Sequence, residues 1–498
     1  MEITDFNNFL KKIKTKITES KISFIVCLIF IILSGIILRT KLLILNPSYW
    51  YDTCALGLNI NKSFSELASP LDCIQIAPVF FMWISKIFYS VLYTGQDIAV
   101  KDFILRLFPY ICGILTLFMF PVLINRMFNN KYITLISLFL LAVNKNAIYY
   151  SIEFKQYETE MLISIILMYI FYDINFSVSS QKKFWCYSFL IAILLWFSNS
   201  SIFIILPCIF ILFINALRNR NFKKFCLFFM PFSFSLFLFY LCYFSPVYDE
   251  MYTHMKSFWS FSDPSFFIKD NFCEKYAQVT STLIKTPVNI FIFTLINISI
   301  FIFFKNYKAL GIIILPVLFV ISAGFFNLYP FQTRVILFLL PSFIILYSQI
   351  PLIFKENKIF TAILALILVF LTYKNLQIPV ENYIINNYSS RELLTEIQKE
   401  NPQLKNVIST DNNFILRYYT GTNSISEEYP WIKFENSAIP LFFKTAKNGE
   451  YWIYSPFNVQ KDYCHKLKEY LYSNKKIKVI NIYNGKSGSC SIRVQKTG

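Results

Sequence analysis

Residues 11–38 read KKIKTKITESKISFIVCLIFIILSGIIL, a lysine-rich stretch followed by a run without charge from Ile22 to Leu38. A helix that crosses a membrane needs about 20 mostly apolar residues, so this run predicts a first transmembrane span. No small-residue cleavage site follows it, which indicates an anchor rather than a signal peptide. Because basic flanks stay in the cytoplasm, residues 1–21 are predicted to be a cytoplasmic N-terminus.

Similar apolar runs recur through most of the chain. Hydrophobic residues make up 56% of it and charged residues only 15%, against roughly 25% charged residues in soluble proteins. We therefore predict an α-helical polytopic membrane protein with about eleven transmembrane helices. The further runs lie near residues 103–125, 132–150, 158–175, 184–197, 201–217, 222–245, 287–304, 309–326, 334–350 and 358–373. The runs at 184–197 and 201–217 are short and also fit a broken pair.

One more apolar stretch, at residues 76–94, contains Lys86 and the helix breaker Pro78 and precedes Gly95. If it crossed the membrane, every later loop would change sides. The Lys and Arg residues of those loops collect on the cytoplasmic side only when it does not cross. We therefore predict an interfacial amphipathic helix at 76–94, within a long outward loop at 39–102.

The tail, residues 376–498, differs from the membrane domain at 22–375 because charges are frequent and the apolar segments are short. It is predicted to be a small extracytoplasmic α/β domain. The predicted elements are helices from Ser389 and over 459–472, strands over 406–409, 452–454, 477–482 and 491–494, and a two-residue hairpin turn at Asn484-Gly485. Two cysteine pairs are candidate disulfides if the outside is oxidising: Cys54 with Cys73, and Cys464 with Cys490.

The charge balance excludes some classes of function. Lys and Arg outnumber Asp and Glu by 47 to 29, a net charge of +18. A nucleic-acid-binding protein concentrates its cations on a soluble face, whereas many of these lie between apolar runs, so no nucleic-acid partner is predicted. His254 and His465 are too few for a histidine-based metal site.

Polar residues at the outer membrane margin are the candidates for chemistry, because charge there is costly and usually functional. A carboxylate can act as a general base toward a hydroxyl, and Arg or Lys can bind a lipid-linked phosphate and stabilise a leaving group. The predicted topology places four such clusters on one side: Trp50-Tyr51-Asp52, Arg106, the segment Glu153 to Glu158 with Lys155 and Tyr157, and Tyr329 to Arg334.

Each candidate also has a purely structural interpretation. Asp52 fits the N-cap of a surface helix that begins at Thr53. Arg106 and Arg334 fit side chains that reach toward lipid headgroups. Glu153 and Lys155 fit an ion pair with each other.

The order of these stretches resembles the GT-C superfamily of membrane glycosyltransferases, specifically the bacterial family-39-like group of protein O-mannosyltransferase and aminoarabinose transferase relatives. The resemblance covers roughly residues 20–375. Its stretches are SYWYDTCALGLNI (48–60), IAPVFFMWISKIF (76–88), RLFPYICGILTLFMF (106–120), YYSIEFKQYETEMLISIILM (149–168) and NLYPFQTRVILFLLP (327–341).

The resemblance implies an inverting transfer of a sugar from a polyprenyl-phosphate donor to an extracytoplasmic glycan, lipid or protein acceptor, at the inner (plasma) membrane. It maps Asp52 as the catalytic base, with Lys155, Arg106 and Arg334 as residues that bind the donor or shape the site. Glu153 and Tyr157 complete the set of candidate substrate-binding residues.

The chain departs from the family at one position. The family often has an acidic pair where this chain has Asp52-Thr53, and Glu66 and Asp72 are the carboxylates available later in the same loop. The missing carboxylate argues against a required divalent metal, so neither a metal nor another cofactor is expected. Two other functions stay open: a transporter or flippase of lipid-linked sugars, which predicts charges deep in several helices, and a non-catalytic membrane scaffold.

Overall fold

In the residues that it describes, the computed structural model is mostly helical, with one sheet near the C-terminus. It describes residues 3–95, 97–248, 276, 279, 294–295, 297–300, 306–326, 328–349, 390–410, 414–421, 438–455, 463–485 and 489–497. The predicted span at 358–373, most of the span at 287–304 and most of the loop at 246–286 lie outside these residues.

Sixteen α-helices are numbered here among the described residues. They are α1 (Ile3–Leu45), α2 (Tyr51–Gly57), α3 (Val79–Leu92), α4 (Ile98–Phe128), α5 (Lys131–Ala142), α6 (Lys145–Tyr150), α7 (Tyr157–Asp173), α8 (Gln181–Leu194), α9 (Ile202–Arg218), α10 (Phe222–Phe239), α11 (Tyr307–Phe325), α12 (Leu340–Tyr347), α13 (Ser390–Glu400), α14 (Phe414–Thr420), α15 (Ala438–Thr445) and α16 (Tyr463–Ser473).

Five helical segments of the described chain are long and apolar enough to cross a membrane. They contain the apolar part of α1, then α4, α9, α10 with its π-helical continuation, and α11. The predicted span at 132–150 is instead two helices, α5 and α6. The physical reason is Asn144, whose side chain accepts from the backbone N–H groups of Asn146 and Ala147 and so begins a new helix.

The predicted runs at 184–197 and 201–217 are separate helices with a break between them. Helix α8 ends in a 3-10 turn at Leu195–Phe197, and a second turn at Asn199–Ser201 leads into α9. Ser198 has extended backbone angles between the two turns. The hydroxyl of Ser201 donates to the carbonyl of Ser198 at 2.6 Å, which provides a local partner for that carbonyl.

Helix α3 matches the predicted helix at 76–94 but is shorter, because it begins after Pro78. Its 14 residues rise roughly 21 Å, less than the ~30 Å of a bilayer's hydrocarbon core. Phe81 and Met82 are buried, whereas Ile87 and Val91 are exposed. The helix therefore has one packed face and one free apolar face, and its position at the membrane surface stays a prediction.

The tail contains a four-stranded sheet in the order β1-β2-β4-β3, formed by β1 (Val407–Ser409), β2 (Gly449–Ser455), β3 (Ile477–Asn484) and β4 (Cys490–Lys496). Strands β1 and β2 are parallel and the other pairs are antiparallel. All four predicted strands are present. The predicted two-residue turn at Asn484-Gly485 is wrong, since Asn484 is still within β3 and pairs with Cys490 of β4.

Side chains of β2 alternate between two hydrophobic cores, as the pleat of a strand requires. Tyr451 and Ile453 join a core with helices α15 and α16. Trp452 and Tyr454 point the other way, into a core shared with the loop after α1. A disulfide joins Cys464 to Cys490. The tail therefore packs directly on the loop that carries Asp52.

Candidate functional site

Asp52 lies in the first turn of α2, which begins at Tyr51 after the N-cap residue Trp50. No side chain caps this helix, so the interpretation of Asp52 as the N-cap of a helix starting at Thr53 is wrong. The side chain of Asp52 is 21% exposed. It points away from its own helix toward groups carried by three other segments.

Two cations contact the carboxylate of Asp52, one on each oxygen. Lys155 Nζ lies 3.3 Å from Oδ1, and the Arg334 guanidinium lies 3.4 Å from Oδ2. Lys155 precedes α7, and Arg334 lies in the segment before α12. The guanidinium also stacks over the ring of Trp50, 5.4 Å from its centroid. Residues from three distant stretches thus form one cluster, called here the Asp52 cluster (Asp52, Lys155 and Arg334).

Gln75, which is not among the residues predicted from the sequence, also contacts this cluster. Its amide nitrogen donates to Asp52 Oδ1 at 3.2 Å, and its amide oxygen accepts from Lys155 Nζ at 2.7 Å. The preceding Cys73 and Ile74 both have left-handed φ angles, 60° and 55°, which are uncommon for such residues. The only signal in the sequence is a lone amide between apolar residues shortly before Pro78.

Glu153 and Arg106 form a second layer behind α2. Glu153 accepts a short hydrogen bond from the hydroxyl of Thr53, the residue next to Asp52. Its other oxygen lies 3.9 Å from the Arg106 guanidinium. Glu153 thus pairs with Arg106, and Lys155 with Asp52, so the interpretation of Glu153 and Lys155 as each other's partners is wrong.

Arg106 is fully buried, so it does not reach toward lipid headgroups. It donates to the Asn46 side chain at 3.1 Å, to the backbone carbonyl of Ile152 at 2.5 Å and to that of Pro47. Its guanidinium also lies 4.1 Å from the centroid of the Tyr49 ring. Arg106 therefore acts as a clamp: its hydrogen bonds join the segment before α2 to the segment that carries Glu153.

Tyr157, the first residue of α7, lies beside the Asp52 cluster and interacts electrostatically with Arg334 and Asp52. Its ring packs edge-on against that of Tyr150, with centroids 5.0 Å apart. The structure therefore brings five predicted residues to the same place as Asp52, with Lys155, Arg334 and Tyr157 around it and Glu153 and Arg106 behind it.

Burial and charge act in opposite directions on these groups. Burial alone would raise the pKa of Asp52, but Lys155, Arg334 and the Gln75 hydrogen bond hold it below its ordinary value. Burial lowers the pKa of Lys155, although Asp52 opposes this. Burial raises the pKa of Glu153 despite Arg106 and Thr53. Asp52 is therefore ionised at neutral pH.

The other carboxylates of the same loop have partners away from Asp52. Glu66 accepts from the backbone N–H and hydroxyl of Ser63 at 2.7 and 2.6 Å. Asp72 lies 2.7 Å from Lys62 Nζ. Neither supplies the second carboxylate that the family pattern has beside Asp52. Among the described residues, no three His, Cys, Asp or Glu side chains are grouped as a metal site.

A second cation cluster lies around Asp173, the last residue of α7. Arg126 approaches this carboxylate at 2.6 Å, Lys183 forms a short ion pair with it, and Tyr187 donates to it at 2.8 Å. Since α7 has 17 residues, the clusters at its two ends are about 25 Å apart along the helix axis.

Comparisons with known proteins find similar folds among solved structures. No family model and no curated protein matches the chain. Among solved structures, it is similar to ArnT from Cupriavidus metallidurans in the apo state, with a TM-score of 0.55, 9% identity, and coverage of 96% of this chain and 98% of that one. It is also similar to ArnT from the same organism bound to undecaprenyl phosphate, with a TM-score of 0.52, 10% identity and the same coverage. The chain therefore has an ArnT-like fold, which agrees with the fold that the resemblance in the sequence implies.

Proposed function

We propose that the protein is an integral membrane glycosyltransferase that moves a sugar, with inversion, from a polyprenyl-phosphate donor to an extracytoplasmic glycan, lipid or protein acceptor. The observation that carries the proposal is the Asp52 cluster, in which one carboxylate and two cations from distant segments meet. The ArnT-like fold supports it, since one of the ArnT structures is bound to undecaprenyl phosphate.

The charge of the cluster suits such a donor. Lys155 and Arg334 carry two positive charges and Asp52 one negative charge, and the buried pair of Glu153 and Arg106 balances itself. The cluster therefore has one excess positive charge. A polyprenyl-phosphate sugar is a phosphodiester with one negative charge, and Arg and Lys bind phosphate oxygens through short, charge-assisted hydrogen bonds.

In the proposed reaction, the acceptor hydroxyl oxygen forms a bond to the anomeric carbon while the bond from that carbon to the phosphate oxygen breaks. The hydroxyl proton moves to the Asp52 carboxylate. The electron pair of the broken bond stays on the polyprenyl phosphate, whose added charge Lys155 and Arg334 stabilise.

Donor binding prepares Asp52 for this role. In the free protein the two cations hold the pKa of Asp52 low, which makes it a weak base. A bound phosphate competes for Lys155 and Arg334 and so weakens their contacts with the carboxylate. We therefore expect the basicity of Asp52 to rise when the donor is present.

The proposal includes the topology. Residues 1–21 are cytoplasmic, residues 22–375 form the membrane domain with about eleven spans, and residues 376–498 lie outside the inner (plasma) membrane. The partners are the lipid-linked sugar, the membrane lipids and the acceptor, and no cofactor is required.

The test uses purified full-length protein in lipid nanodiscs, a panel of undecaprenyl-phosphate-linked sugars (mannose, glucose and aminoarabinose) and an envelope extract as acceptor. We expect release of undecaprenyl phosphate with one of them, and Asp52→Asn to reduce it by about 10²- to 10⁴-fold, the usual contribution of a general base. The matched control is Asp72→Asn, an exposed carboxylate of the same loop.

Three outcomes count against the proposal. Full activity of Asp52→Asn would remove the base assignment. Movement of labelled donor across the bilayer without release of undecaprenyl phosphate would favour a flippase. Neither release nor movement with any donor of the panel would favour a scaffold.

A further inference from the structure

The tail meets the membrane helices at a carboxylate that has no part in the proposed reaction. Asp102, near the start of α4, is fully buried. It accepts from the Arg391 guanidinium at 2.8 Å, from the Tyr418 hydroxyl at 2.8 Å and from the Tyr419 hydroxyl at 3.2 Å. These three donors all belong to the tail. A buried carboxylate needs such partners, because an isolated charge is strongly disfavoured in the interior.

The same tail residues also hold the segment that leads into α2. Arg391 donates to the carbonyl of Asn46 at 2.8 Å. The backbone N–H of Tyr49 donates to the hydroxyl of Tyr419 at 2.6 Å, and the hydroxyl of Tyr49 donates to the carbonyl of Asp102 at 2.9 Å. The chain just before Trp50 and Asp52 is therefore fixed between α4 and the tail.

Helix α14 of the tail also packs directly on α2, the helix that carries Asp52. The ring centroids of Tyr51 and Phe414 lie 5.0 Å apart. At Gly57 the approach is so close that an added β-carbon would lie 3.0 Å from Cδ2 of Tyr418 and would overlap Cε2. Since Tyr418 is itself buried, its ring has little room to move away.

We propose that Asp102, Arg391, Tyr418 and Tyr419 form a latch that docks the tail on α2 and thereby positions Asp52 for transfer. The positioning role rests on the proposed function. Lys155 and Arg334 are carried by other segments, so release of the tail displaces Asp52 relative to its two cations. Asp102 is thus a positioning residue, which acts on the reaction only through α2.

Cys54 provides a readout of docking that does not depend on catalysis. This residue lies in α2, its thiol is fully buried, and it belongs to the core that the tail shares with the loop after α1. The full-length protein is treated with a water-soluble maleimide for increasing times. Peptide mass spectrometry then gives the labelling rate of Cys54 separately from those of the other cysteines.

The test compares Asp102→Asn with Gly57→Ala, which pushes the Tyr418 ring and α14 away from α2 without removing any side chain of the latch. In both we expect Cys54 to label at least about tenfold faster and kcat to fall by about 10²-fold, the cost of a misplacement near 1 Å. We expect the donor KM to change by less than about threefold, because the residues proposed to bind the phosphate are not on α2. Tyr418→Phe, which removes one of the three donors, should give a smaller change in the same direction.

The matched control is Glu396→Gln, on the same helix as Arg391, which breaks an exposed ion pair with Lys399. It should change neither the labelling of Cys54 nor kcat. Unchanged protection of Cys54 in folded Asp102→Asn and Gly57→Ala would refute the latch. Faster labelling with unchanged kcat would refute the positioning role. If the wild-type protein transfers no sugar, the proposed function fails and the positioning role with it, whereas the labelling rates still decide whether the latch docks the tail.

Discussion

Replacing Lys155 by methionine should shift the pH dependence of transfer. Lys155 Nζ lies 3.3 Å from Asp52 Oδ1 and helps to hold the pKa of Asp52 below its ordinary value. Asp52 therefore stays ionised, and able to act as a base, down to acidic pH. Without this cation the carboxylate becomes protonated at a higher pH, so the acid limb of the pH profile should move upward.

The size of this shift follows from the distance. Two unit charges 3.3 Å apart interact by about 5 kcal/mol at an effective dielectric constant near 20. The side chain of Asp52 is 21% exposed, so solvent screening reduces this value, and the Arg334 guanidinium at 3.4 Å keeps part of the effect. Neighbouring cations lower the pKa of an aspartate by about 1 to 3 units, and we expect a shift of about 1 to 2 units.

The assay is the pH profile of kcat/KM for release of undecaprenyl phosphate, since this quantity reports the ionisation of the free enzyme. Lys155→Met should also lower the overall rate, but the midpoint of the acid limb is read independently of its height. Lys62→Met is the matched control, because it removes a lysine that pairs with Asp72 in the same loop as Asp52. An acid limb at the same pH in wild type and Lys155→Met would refute the assigned coupling.

Two further predictions concern the alkaline limb and the buried clamp. Burial lowers the pKa of Lys155, so wild-type transfer should decline at a pH below the ordinary range of lysine. Lys155→Arg should move that decline to higher pH, since arginine stays charged. Alkaline limbs at the same pH in wild type and Lys155→Arg would contradict this. Arg106→Lys should cost about 1 to 3 kcal/mol of folding free energy, because lysine keeps the charge opposite Glu153 but cannot reach both the Ile152 and the Pro47 carbonyl, so one of them loses its buried donor. An unchanged thermal unfolding midpoint of Arg106→Lys would show that Arg106 is not a clamp.

The sequence predicts the features that depend on local pattern. The charge-free run after Lys21 forms the apolar part of α1, and the alternating segments of the tail form the four strands. The helix break within residues 132–150, which the sequence does not predict, depends on a single side chain. Asn144 divides a continuous apolar run because its carboxamide caps α6, and hydropathy alone does not report such a cap.

The sequence predicts which charged residues belong to the site, but it does not predict which of them pair with each other. Charge near a membrane is rare enough to single out Asp52, Lys155 and Arg334. Which acid contacts which cation depends on packing between segments, so the adjacent Glu153 and Lys155 point to different partners. Gln75 and Asp102 were missed because the first is neutral and the partners of the second lie about 300 residues later in the chain.

We propose above that Lys155 and Arg334 hold the phosphate of a lipid-linked sugar beside Asp52. A structure of the full-length protein with undecaprenyl phosphate, measuring the distances from the phosphate oxygens to these two side chains, tests it most directly. We expect both distances to be about 3 Å and Asp52 to have moved away from Lys155. A phosphate bound instead at Arg126 and Lys183, at the other end of α7, would contradict it.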